Sequence, residues 1–151
     1  MAKIDVTDEA IIDAPPMEVY KAILDEYAGT THLFMPALES KVRGDKPVVC
    51  EGAVCNVMGH SHGLTTKFSV KVTKVEKGKS IELELAGDFL GNETWTFEPA
   101  GKGKTNVKLR FVGRTNRLLF TLLSPFVNAG KEHSKTIQYG LKACNSYLCK
   151  K

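Results

Sequence analysis

The chain has 151 residues, of which 42% are hydrophobic and 25% charged, and a net charge of +4. That is the size and balance of one globular domain, 1–151, able to bury roughly two-thirds of its unfolded surface. The composition excludes several classes: the charge does not argue for nucleic acid, and the longest uncharged apolar run, LLFTLLSPFVNAG over 118–130, is shorter than the roughly 18–20 residues of a membrane span.

The opening MAKIDVTDEAIIDAPP is acidic and broken by charges, unlike a signal peptide. Cys50, Cys55, Cys144 and Cys149 therefore read as reduced thiols, and a cytoplasmic location is the expectation. The basic residues are unevenly spread: seven Lys or Arg and no acid lie between Glu98 and Glu132.

Residues 3–13 read as a strand. APPMEVYKAIL follows, with tandem prolines at a helix start, Glu18 in the first turn, and Met17, Tyr20, Ile23 and Leu24 at helical spacing. A second short helix or turn is expected over 25–34, ending before Pro36. From residue 37 to 113 the chain alternates short strands with turns: ALESKV, EGAVCNVM, LTTKFSVKVTKV, SIELEL, NETWTFEP and TNVKLRFV, with AGDFLG as a loop. Ile81, Leu83 and Leu85, then Val107, Leu109 and Phe111, alternate with a period of two, so one sheet face is buried. The short connections predict an antiparallel meander.

Beyond Arg114 the pattern becomes helical. Ile137, Leu141, Cys144 and Leu148 share a stripe that projects back through His133 and Gly130 to Phe126 and Leu119. One long helix to the C-terminus, kinked or broken at Pro125, is predicted. The fold class is α+β: a curved seven-stranded antiparallel sheet around a long C-terminal helix, with two short helices after strand 1.

The strand ending Ile12-x-Ala14-Pro15, the helix carrying Val19-Tyr20 and Ile23-Leu24-Asp25, and the closing pair TWTFEPAGKGKTNVKLRF resemble the START-like, or SRPBCC, superfamily. This is the birch-pollen-allergen helix-grip fold, and the likeness is nearest to its polyketide cyclase/dehydrase and lipid-transport branch. The resemblance covers essentially the whole chain. It implies a cavity between helix and sheet for apolar or amphipathic small molecules; some members cyclise or hydrate polyketides, and many only carry or sense ligands. Its motifs are patterns of strand, proline and helix, so no catalytic residue and no cofactor is carried over.

MGHSHGL, residues 58–64, raises a metal question, because Cys55, His60 and His62 could be three ligands. If the hairpin pairs about Ser61, Met58 faces Leu64, Asn56 faces Thr66 and Val54 faces Phe68, all on the inner face. Cys55 and Val57 then point outward. A Cys55 thiol on the outer face cannot converge with imidazoles in the turn, so no metal site is expected and GHSHG reads as a polar turn.

The same meander places this turn, the GDFLG loop and the entry to the long helix at one end of the sheet. A cavity mouth built from His60, His62, Phe89, Leu90 and Arg117 is expected there. Inside, Glu93 shares the parity of Trp95 and Phe97, and His133 is the one ionisable side chain of the helix stripe. They read as polar anchors for a ligand or as an acid/base pair. Trp95, Asn56, Met58, Phe68, Phe126 and Ile137 complete the expected ligand-binding set.

The leading expectation is binding, with transport or sensing as its use, of a hydrophobic or amphipathic small molecule such as a lipid, isoprenoid or polyketide-like compound. The alternative is a cofactor-free cyclase or dehydratase working through Glu93 and His133. A groove that grips a partner protein is a third reading, and the basic segment around RLLFTLLSPF could touch an anionic membrane transiently. The ligand, the pathway and the oligomeric state are not legible.

Overall fold

Strands β1 (Lys3–Ile12), β2 (Leu38–Val42), β3 (Val54–Ser61), β4 (Leu64–Glu76), β5 (Ser80–Gly87), β6 (Phe89–Pro99) and β7 (Thr105–Thr115) form one sheet with helices α1 (Pro16–Ala28) and α2 (Ala129–Cys149). The computed structural model describes residues 3–44, 49–61, 63–116 and 128–150. Strand order is β1-β7-β6-β5-β4-β3-β2, every pairing antiparallel. The meander from β2 to β7 follows chain order, and β1 closes against β7 by pairing Lys3 with Arg114 and Ile12 with Thr105.

Helix α1 begins where Pro15 and Pro16 preset the backbone for a first turn that needs no donor there. It ends at Gly29, whose φ of 86° is a left-handed value that glycine adopts without strain. No second helix follows over 29–34, which corrects the expectation of two short helices and leaves the alternative of a turn. The buried carboxylate of Glu26 instead accepts from Thr31 Oγ1 at 2.7 Å, Leu33 N at 2.8 Å and Phe34 N at 3.0 Å. Those backbone donors are spent on a side chain, so the segment coils around Glu26 rather than turning into a helix.

The inner face carries the expected alternation: Ile81, Leu83 and Leu85 on β5, Trp95 and Phe97 on β6, and Val107, Leu109 and Phe111 on β7 are all buried. Helix α2 lies across this face beside β1 and buries Ile137, Leu141, Cys144 and Leu148, as the stripe predicts. Asn128 caps it by accepting from Lys131 N at 3.0 Å. The described helix starts at Ala129, while Arg114 and Thr115 still belong to β7, so the helix does not begin at Arg114. The expected kink at Pro125, with Arg117 and Phe126, falls outside the described residues.

One register differs from expectation, with consequences for the site. Ser61 pairs with Leu64, and Gly63, just before Leu64, takes a φ of 74°. The hairpin is not centred on Ser61. Its β3 arm is displaced by an odd number of positions, and an odd shift sends each side chain to the opposite face. Cys55 and Val57 are therefore buried, pairing with Val70 and Phe68. Asn56 and Met58 face outward. Strand β4 keeps its predicted parity.

Candidate functional site: a cavity between helix and sheet

Because α2 crosses only part of the concave face, a cavity of about 520 Å³ remains between it and the sheet. Val57, Phe68, Val70, Leu85, Phe89 and Phe111 contribute its apolar wall from the strands, and Ile23, Phe34 and Ile137 cover it from α1, the turn and α2. A polar cluster interrupts this surface. Trp95 Nε1 donates to Tyr27 Oη at 2.9 Å, and Tyr27 Oη donates to Glu93 Oε2 at 3.2 Å. The other oxygen, Glu93 Oε1, stands 3.4 Å from His133 Nε2.

His133 lies between two carboxylates. Its Nδ1 is buried without a hydrogen-bond partner, 3.9 Å from Asp8 Oδ2, and its ring stacks on Phe111 with centroids 5.1 Å apart. Asp8 is itself buried and tied down, accepting from Ser134 Oγ at 3.1 Å and Gln138 Nε2 at 3.5 Å. Burial, reinforced by the neighbouring Glu93 charge, holds the Tyr27 phenol well above its usual range. Tyr27 thus remains a donor at any ordinary pH.

Of the residues singled out from the sequence, Glu93, Trp95, Phe68, His133 and Ile137 line the cavity, with His60 and Phe89 toward its end. Asn56 and Met58 do not, because of the β3 register; Asn56 Oδ1 instead accepts from Arg43 Nε at 2.8 Å on the outer face. Phe89 and Leu90 are not a loop tip. Both lie in β6, where Phe89 packs edge-on against Phe68 and Phe111 with centroids 5.3 and 6.3 Å apart, and Leu90 is not part of the lining. His62, Arg117 and Phe126 lie outside the described residues.

Cys55 does not face outward, which corrects the premise on which the sequence speaks against a metal site. Cys55 is fully buried on the inner face with its thiol pushed up to about 11 by burial, while His60 is exposed beside Glu39 and Thr65. Thiol and imidazole still lie on opposite faces. Among the described residues no group of three or more His, Cys, Asp or Glu is arranged to hold a metal ion.

The sequence reading missed Tyr27 and Asp8. Tyr20, Ile23 and Tyr27 follow a single helical stripe, and Asp8 is the lone acid on the inward parity of Ile4, Val6, Ala10 and Ile12, so both signals were present.

A family model described as polyketide cyclase/dehydrase and lipid transport matches residues 3–143. No curated protein matches in sequence. Among solved structures, TTHA0849 from Thermus thermophilus is similar at 19% identity and a TM-score of 0.72, covering 94% of each chain. Ara h 8.0201 is similar at 14% identity and a TM-score of 0.69, covering 99% of this chain and 100% of that one. Norcoclaurine synthase from Thalictrum flavum, solved with dopamine and hydroxybenzaldehyde, is similar at 12% identity and a TM-score of 0.66, covering 99% and 88%. At these identities the structural likenesses speak for the fold.

Proposed function

We propose, from the premise that this chain belongs to the polyketide cyclase/dehydrase and lipid-transport family of the START-like superfamily, that it binds an apolar small molecule between α2 and the sheet. The guest is of lipid, isoprenoid or polyketide-like character. The observation that carries this is the cavity: about 520 Å³, within the roughly 300–1,000 Å³ range of small-molecule sites, apolar except for a few convergent polar groups. Glu93, Tyr27 and His133 would fix the guest's orientation, and the apolar wall supplies most of the binding energy at about 25 cal/mol per Å² buried. No helix of the described residues is long and apolar enough to cross a membrane; a transient membrane contact during ligand exchange is compatible with this reading.

The test uses the single tryptophan, Trp95, which lines the cavity. A neutral apolar dye, N-phenyl-1-naphthylamine, is titrated into the protein. Saturable dye fluorescence with parallel quenching of Trp95 is expected. Absence of both overturns the reading.

The approach of Glu93 Oε1 to His133 Nε2, at 3.4 Å, favours a second reading, a cofactor-free cyclase or dehydratase. A carboxylate and an imidazole facing one dry cavity can remove and return a proton. Under this reading Glu93→Gln and His133→Phe would abolish turnover of a polyketide-like substrate that the unaltered protein converts.

A further inference from the structure

We propose that the cavity selects a guest with a hydrogen-bond-donating, preferentially cationic head group, such as a protonated amine on an apolar body, and excludes fatty-acid-type anions. The inference rests on the binding reading above and names its ligand class.

The first argument is the direction of the hydrogen bonds. Trp95 donates to Tyr27 and Tyr27 donates to Glu93, so the chain of donors ends on an acceptor. The one proton of Tyr27 is already committed, so an entering carboxylate finds no free donor on Trp95 or Tyr27, and the partnerless His133 Nδ1 faces the Asp8 carboxylate. Glu93 can accept more than it does: an ionised carboxylate offers about four lone-pair sites, and Tyr27 and His133 occupy two of its approaches. The group left with spare capacity is an anion facing an apolar space.

The second argument is the charge count. Two buried carboxylates, Glu93 and Asp8, flank one imidazole. Whatever the proton count on His133, ionised Glu93 and Asp8 leave at least one net negative charge at the polar end. Among the described lining residues the only lysine or arginine is Lys3, which is exposed at the start of β1. Apart from His133, which already stands between Glu93 and Asp8, no buried cation among the described lining residues is there to receive a carboxylate or phosphate head. A desolvated anion beside Glu93 would add like-charge repulsion to its lost hydration, whereas an ammonium would make a charge-assisted hydrogen bond.

The third argument is the wall. Trp95 and Phe89 border the same space, and the negative faces of such rings attract cations and not anions.

The experiment displaces bound N-phenyl-1-naphthylamine from the whole chain with three guests of one chain length, dodecylamine, dodecanol and dodecanoate, at neutral pH and below their micelle concentrations. Dodecylamine should displace the dye at a concentration at least about tenfold below that of dodecanoate, the effect of one charge-assisted hydrogen bond, with dodecanol between them. In Glu93→Gln the amine and the acid should approach one another. Asp8→Asn should narrow the gap in the same direction and provides a second variant should the first fold poorly. Failure of the dye to bind overturns the binding reading itself. Dye binding with dodecanoate as effective as dodecylamine, or dodecanol matching the amine, leaves that reading standing and overturns this one. A gap unchanged in both variants also overturns it.

Discussion

Gly140 in α2 is where helix and turn meet most closely, and adding one methyl group there sets two effects against each other. A Cβ at this position would lie within the ring of Phe34, against Cδ2, Cε2 and Cζ. The ring has little room to withdraw. Phe34 is buried and its amide is held at 3.0 Å by Glu26 Oε1. Helix propensity alone favours alanine over glycine by about 1 kcal/mol. Overpacking costs roughly 1–3 kcal/mol, and with three ring atoms overlapped the upper part of that range applies. Gly140→Ala should therefore destabilise by about 1–2 kcal/mol, lowering Tm by roughly 2–8 °C for a chain of this length. In a Phe34→Val background all three overlapped atoms are gone, and the same substitution should stabilise by up to about 1 kcal/mol. The sign reversal is the signature, with a coupling of about 2–3 kcal/mol between the two sites. Urea unfolding followed by Trp95 fluorescence measures each corner of the cycle. Stabilisation by Gly140→Ala in the unaltered protein, or the same change in both backgrounds, would refute the steric account.

The thiols provide a second prediction: Cys50 and Cys149 are exposed, whereas burial pushes Cys55 up to about 11 and Cys144, next to Glu26, up to about 12. A thiol reagent at pH 8 should label two cysteines quickly and the other two only on unfolding. Because these two folded values lie above the unfolded one near 9, their contribution to stability is full below about pH 9 and is lost as pH rises toward 11–12; a urea midpoint that does not fall over that window would contradict it. Zinc should neither bind stoichiometrically nor raise Tm, since the Cys55 thiol is buried and protonated while His60 lies on the other face; a zinc-dependent rise abolished by Cys55→Ser would show otherwise.

Much of this architecture is local and therefore legible in the chain. The alternation of β5 and β7 and the stripe of Ile137, Leu141, Cys144 and Leu148 record which side of each element is dry, and those faces are the buried ones. Parity on β6 likewise put Glu93 beside Trp95. What local pattern could not decide was register and meeting. The glycines of MGHSHGL are symmetric about Ser61, yet Ser61 itself pairs with Leu64, and that displacement alone moves Asn56 and Met58 out of the cavity and Cys55 and Val57 into the inner face. The cluster at the polar end joins Tyr27 of α1, Glu93 of β6 and His133 of α2, with bonded partners 66 and 40 positions apart. Each residue advertises its face through its neighbours in sequence. That the three faces converge on one point depends on how far α2 lies toward β1 and how tightly the turn at Phe34 closes on Gly140, and those distances are set by packing between elements, where the periodicity of a single element carries no information.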